Sequence, residues 1–176
     1  MTTFVLYAIK YITTKEQDMA TRARIGFETQ VGEIVSSYHH YDGYPAGLGY
    51  KLVRNYIGDR DKFMEAVMLG DASYWGDTPY PSSSLHSFSN AEDNVSVYYG
   101  RDRGEENVDT ITFTDIEDFA ASYAVAGEEY AYVLRLDGTL TMFSRYGEQR
   151  IEDAEDNIIL ARADMLRMIQ KKEIAA

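Results

Sequence analysis

Two hydrophobic rhythms alternate along the chain, and their starts and stops mark out its elements. Three β-rich runs come first, at residues 4–12, 22–28 and 33–39. The last two flank Gln30-Val31-Gly32, a spacing that predicts a β-hairpin. In the second arm Ile34, Ser36 and Tyr38 alternate with Val35, Ser37 and His39, so both faces carry mixed polarity. Asp42-Gly43-Tyr44-Pro45 breaks that strand, and Pro45 with Gly43, Gly47 and Gly49 marks a tight turn. Leu48, Leu52, Val53 and Tyr56 then recur at helical spacing, which places a helix start near Ala46. A second helix is predicted from Asp59, a residue type suited to N-capping. Phe63, Met64 and Val67 point inward from it and Gly70 stops it.

Residues 71–94 are rich in Ser, Pro, Asp and Asn and read as a long loop, a class often functional or mobile. Residues 95–99 predict a short strand ending at Gly100. Thr114-Asp115-Ile116-Glu117 has the form of a capping box, with Thr114 as the cap, Glu117 reaching back, and a helix running to about Ala124. Residues 130–136 and 139–145 flank Asp137-Gly138, which predicts a hairpin closed by a type I′ turn. A last helix is expected over residues 151–171, with Ile151, Ala154, Ile158, Ala161, Met165 and Ile169 as its apolar stripe. Acidic residues at its start and Lys171 and Lys172 at its end match the helix dipole. That helix packs on the sheet or joins a second copy, making a homo-oligomer. Together these elements predict an α+β fold, a mainly antiparallel sheet covered by three or four helices in a single domain.

Composition narrows the picture. A chain of 176 residues fits one domain with a sizeable core. There is no cysteine, which excludes disulfides, zinc–thiolate sites and cysteine nucleophiles and fits a reducing compartment. The N-terminal apolar run is only about eight residues long and lacks a basic leader, so neither a signal peptide nor a membrane span is expected, and the cytoplasm is. The net charge of −12 is uneven. Residues 1–88 hold 8 Lys/Arg and 10 Asp/Glu, whereas residues 89–176 hold 9 and 19. Direct nucleic-acid binding needs the opposite sign. The acidic half is either a solubility device or a face for a basic partner, imitating a nucleic acid. Tyrosine is abundant, at 15 against 7 Phe and 1 Trp, which suits strands and partner-facing surfaces alike.

Two segments carry candidate chemistry. His39-His40-Tyr41-Asp42-Gly43-Tyr44-Pro45 ends a strand, and His40 and Asp42, two apart, form a candidate acid–base pair. The structural alternative is an Asx-turn at Asp42 with His40 in support. Gly100-Arg101-Asp102-Arg103-Gly104-Glu105-Glu106 places two arginines between glycines, suited to gripping a phosphate or carboxylate, unless local salt bridges occupy the same groups. Arg22 and Arg24 share a strand face and extend a cationic pocket. The candidate ligand-binding set is therefore Arg22, Arg24, Tyr44, Arg101, Arg103 and Glu105. His39, His40 and His86 match no metal-ligand spacing, so neither a metal nor another cofactor is expected. P-loop, Rossmann, Gly-x-Ser-x-Gly and His-Glu-x-x-His signatures are absent from the sequence.

Thr21-Arg22-Ala23-Arg24-Ile25-Gly26, Tyr38-His39-His40-Tyr41-Asp42-Gly43-Tyr44-Pro45 and Tyr99-Gly100-Arg101-Asp102-Arg103-Gly104-Glu105 taken in order resemble a family of small uncharacterised proteins of tailed bacteriophages. Leu69-Gly70-Asp71 and the final hairpin fit as well, so the likeness spans residues 21–145. Members of that family begin near the Arg-x-Arg strand, so residues 1–20 look like an added N-terminal strand, and the terminal helix over 150–172 is a further departure. The resemblance implies a phage origin and no particular activity; with the charge, it leads to the expectation of an accessory protein that binds and inhibits or redirects a host protein through its acidic, Tyr-rich surface, as counter-defence proteins do. The alternatives are capture of a small phosphorylated or nucleotide signalling ligand, and a hydrolase using His40 and Asp42.

Overall fold

A computed structural model of the protein describes residues 20–144 apart from Ala124. The strand expected over residues 4–12 and the helix expected over residues 151–171 lie outside the described residues. The first hairpin forms as its pattern predicts. β1 (Ala23–Glu28) and β2 (Ile34–His39) pair antiparallel from Ala23↔His39 to Glu28↔Ile34. The turn closes through Thr29 N–H to Glu33 O at 2.8 Å and Gly32 N–H to Thr29 O at 3.0 Å. Beyond β2 the chain enters a π-helical turn, Pro45–Gly49, that runs into α1 (Tyr50–Asn55). The Asp42 carbonyl accepts the Leu48 N–H at 2.8 Å and so seats this turn. Gly43 is required here, because a Cβ would stand 2.7 Å from both Ala23 Cβ and the Thr21 carbonyl oxygen.

α2 (Arg60–Met68) starts where Asp59 accepts the Lys62 N–H at 3.0 Å and ends at Gly70, whose φ of +88° L side chains rarely adopt. Phe63, Ala66 and Val67 are its buried face. The segment expected to be loop from residue 71 begins instead with β3 (Ala72–Tyr74), which lies parallel to β2 and antiparallel to β4 (Val97–Tyr98). Gly100 does not end a strand. It lies within α3 (Tyr99–Arg103), because the Asp102 carboxylate takes the Tyr98 N–H at 2.7 Å and turns the chain helical at once. β5 (Ile111–Phe113) pairs antiparallel with the first half of β2.

α4 (Ile116–Tyr123) is capped one residue later than the Thr114 box predicts. Asp115 accepts the Asp118 N–H at 2.8 Å, and Asp118 reaches back to the Thr114 N–H at 3.3 Å. A shorter carboxylate in the outer role moves the box by one position. β6 (Tyr130–Leu134) and β7 (Leu140–Ser144) form the second hairpin. Its turn differs from the expected type I′. Gly138 N–H bonds Arg135 O at 3.1 Å, and only Gly138 has positive φ, at +84°. This is a three-residue loop, a type I turn followed by a glycine bulge, and the Asp137 carboxylate fixes it by accepting the Thr139 N–H at 2.8 Å.

The strands order as β4-β3-β2-β1-β6-β7, with β5 beside β2 as well. The fold is α+β as expected, but the sheet is mixed, since β1–β6 and β2–β3 run parallel. Parallel pairing needs a crossover between distant segments, and alternation within a strand carries no mark of it. One face of the sheet presents Ala23, Ile25, Phe27, Tyr132 and Leu134 to Leu48, Leu52, Phe63, Ala66, Val67 and Trp75, which form the main core. The other face is covered over Ile34, Ala131, Val133 and Phe143 by Phe119 and Tyr123 of α4. Its remaining part, around Arg24 and Tyr38, is polar.

Candidate functional site

Arg24 and Tyr38 are directly opposed across β1 and β2, so they share the second face at the margin of the α4 cover. Arg24 donates from Nε (3.1 Å) and Nη2 (2.6 Å) to a single oxygen, Oε1 of Glu128. Both residues are buried, at 7% and 1% exposure. Arg24 Nη1 and Glu128 Oε2 have no hydrogen-bond partner. The Phe113 ring centre is 5.9 Å from the guanidinium carbon.

Asp71 links this pair to the rest of the site. Its Oδ1 accepts the Tyr38 N–H at 2.8 Å, its N–H donates to Val108 O at 2.8 Å, and its carbonyl accepts the Tyr99 N–H at 3.0 Å. Burial raises the Asp71 pKa, against the lowering by the Tyr38 N–H and the Arg24 charge. The Tyr38 hydroxyl lies 2.7 Å from Nδ1 of His40. Burial lowers the His40 pKa and the nearby Arg22 charge adds to this, so the ring is neutral at pH 7. Burial also pushes the Tyr38 phenol up to about 12, so the hydroxyl stays protonated.

The turn after β2 and the α3 segment, remote in sequence, meet here. Tyr41 N–H bonds Ser73 O at 3.2 Å, and Tyr99 senses Ser73, Tyr41, Glu105 and Arg103 together. Of the sequence candidates, Arg22, Arg24 and His40 share one neighbourhood, around Tyr38. His40 and Asp42 serve different partners: His40 bonds Tyr38, whereas the Asp42 carboxylate raises the Tyr44 pKa, after burial, and its carbonyl holds the π-helical turn. Asp42 adopts φ of +59° to do so.

Arg101 is a clamp inside the fold. It grips Asp102 through Nε at 2.7 Å and Nη2 at 2.8 Å, donates to the carbonyls of Pro79 and Ser96, and stacks 4.9 Å over the Tyr98 ring. Arg103 pairs with Glu105 at 3.1 Å and covers the Phe88 ring at 4.7 Å. Sequence reasoning weighed His86 only as a metal ligand. Its side chain is 1% exposed, with Nε2 3.4 Å from Asp102 Oδ2 and Nδ1 accepting the Glu92 N–H at 3.1 Å. With Lys62 on Asp77 O and Lys51 on Trp75 O, the His86–Asp102 contact ties the segment between β3 and β4 to the body, and Glu92 on the Ser82 and Ser83 N–H groups closes the segment on itself. The only signal for His86 in the sequence is a lone histidine in a serine-rich stretch, and its partner is 16 positions away.

Among the described residues no group of three His, Cys, Asp or Glu side chains is placed to hold a metal ion. No helix among them is long and apolar enough to cross a membrane. What the site offers is hydrogen bonding and aromatic surface, with charges matched in pairs. No protein-family model, curated protein or solved structure matches this chain.

Proposed function

We propose that this chain is a bacteriophage accessory protein that binds a host factor in the host-cell cytoplasm and inhibits or redirects it. The acidic exterior supplies attraction, and the exposed rings of Tyr41 and Tyr44 act as anchors. The observation that carries this reading is the orientation of charge. Residues 20–144 hold 9 Lys/Arg against 20 Asp/Glu, a balance of −11. Most of those cations are engaged within the fold: Lys51, Arg60, Lys62 and Arg101 donate to backbone carbonyls, while Arg24 and Arg135 bond carboxylates. The surface left for a partner is therefore more acidic than composition alone implies. Such a surface steers and selects a basic partner.

Only Tyr41, Tyr44 and Tyr80 of the 12 described tyrosines are exposed, and two of the three flank Asp42 on the turn beyond β2. Large rings with a polar tip are favoured anchors at interfaces. A phosphate-binding function has less support, because the guanidinium groups of Arg101 and Arg103 are engaged within the fold.

The experiment is affinity capture from host lysate with the full chain, followed by titration of the purified partner. A basic host protein should be retained by wild type. It should be lost on Tyr41→Ala and weakened by the triple change Glu106→Gln/Asp109→Asn/Glu117→Gln, which removes three exposed carboxylates. A partner held equally by all three chains would overturn the proposal.

A further inference from the structure

We infer that the outer edge of β5 takes up an extended basic segment of a protein partner as an added strand, an inference that rests on the host-factor reading above for its partner. The first observation is the open edge. β5 pairs with the first half of β2, from Ile34↔Phe113 to Ser36↔Ile111, and among the described residues no strand lies along its other side. The alternation of β2 fixes which groups face outward. Glu33 O accepts from Thr29 on the β1 side, whereas the Tyr38 and His40 N–H groups bond Asp71 and Ala72 on the opposite side. Even-numbered residues of β2 therefore face β5. Ile111 and Phe113 exchange bonds with Ser36 and Ile34, and Thr112 turns its N–H and C=O outward.

That edge is uncovered and suited to pairing. Ile111 is 50% exposed, and Thr112 is exposed beside it. Residues 110–114 read Thr-Ile-Thr-Phe-Thr, all β-branched or aromatic, with neither the proline nor the charge that ordinarily guards an edge. Ile111 shares a face with Phe113, whose ring meets Phe119 of α4 at 5.4 Å, so an apolar side chain of an added strand would pack on Ile111 beside that cover. Charge selects the occupant. No lysine or arginine occurs from Gly104 to Leu134, and Glu106 and Asp109 before β5 and Glu117 after it are exposed. Backbone bonds to Thr112 would hold any extended peptide, but these carboxylates favour one that alternates apolar and basic residues.

The test is titration of the full chain with a short peptide alternating valine and lysine, followed by calorimetry and by hydrogen exchange at the Thr112 amide. The peptide should saturate the protein and slow exchange at Thr112 by at least about tenfold. A peptide with glutamate in place of lysine, or with N-methyl groups along its pairing edge, should bind at least about tenfold more weakly. Thr112→Pro removes the outward N–H where an edge strand tolerates proline, and it should abolish binding. Ile111→Lys leaves the backbone intact and should weaken binding by about tenfold or more, whereas Thr112→Ala should bind as wild type does. A basic host protein retained equally by wild type, Thr112→Pro and Ile111→Lys leaves the host-factor reading standing and overturns the inference about β5. A peptide that protects Thr112 while no host protein is retained supports the β5 edge and overturns the host-factor reading. The inference also falls if the lysine peptide at millimolar concentration leaves Thr112 exchange unchanged, or if the glutamate and N-methylated peptides bind as tightly.

Discussion

Removing one member of the Arg24–Glu128 pair should damage the protein more than removing both. In Glu128→Ala the guanidinium of Arg24 stays where it is, 7% exposed, and loses the oxygen that satisfies Nε and Nη2. Nη1 already lacks a partner, so all three nitrogens would then be buried without one. Stranding a buried charge in this way costs about 3–5 kcal/mol. At roughly 2–4 °C per kcal/mol for a chain of this size, Tm should fall by roughly 10 °C. Arg24→Met/Glu128→Met removes both charges and keeps similar volume. Because the native pair leaves one strong donor and one strong acceptor unsatisfied, the double variant should stand within about 1 kcal/mol of wild type, or above it. Urea unfolding followed by circular dichroism measures both variants. A cost below about 1 kcal/mol for Glu128→Ala, or a double variant as unstable as the single, would refute the reasoning.

Further expectations concern glycines and titrating groups. Gly70→Ala should destabilise severely, by more than about 2 kcal/mol in urea unfolding, because positive φ combines with a Cβ placed 2.3 Å from Val108 O. Gly32→Ala at the same φ meets nothing within 4 Å and should cost only about 1–2 kcal/mol. Burial alone would raise the Asp102 pKa, but Arg101, the Tyr98 N–H and His86 hold it below 3.8. Its contribution to stability is therefore present above that value and is lost as pH falls through the folded pKa, and Asp102→Asn should flatten this acid limb of the stability–pH curve. Asp71 behaves in the opposite sense. Its folded pKa is raised, so stability declines as pH rises from 3.8 through that pKa, and Asp71→Asn should remove the decline while its amide oxygen still accepts the Tyr38 N–H. Arg22→Gln should move the His40 titration, followed by NMR, part of the way back toward 6.5, with burial keeping it below.

Local signals in the sequence were read well where the chemistry is local. The β1–β2 hairpin, the Asp59 cap and the Gly70 stop each depend on residues within a few positions of one another. The type I′ turn and the Thr114 cap were near misses, decided by carboxylates inside the motifs, Asp137 and Asp115, in roles other than those read. Long-range relations left no trace. Nothing in β1 announces that it runs parallel to β6, and Arg24 meets Glu128 across 104 positions. The site residues divide in the same way. The resemblance ran through Arg22, Arg24, the turn after β2, Asp71 and Tyr99, while Glu128, which pairs with Arg24, belongs to a segment without a motif. Arg101 looked available because its neighbours in sequence do not disclose the carbonyls of Pro79 and Ser96 that it holds.

The most direct test of the proposed function is the salt dependence of binding between the full chain and its captured host partner. An acidic exterior acting on a basic partner predicts affinity that falls by at least about tenfold between about 0.05 and 0.5 M salt, mainly through a slower association rate. Affinity unchanged across that range, or a host lysate that yields no partner for wild type, would contradict it.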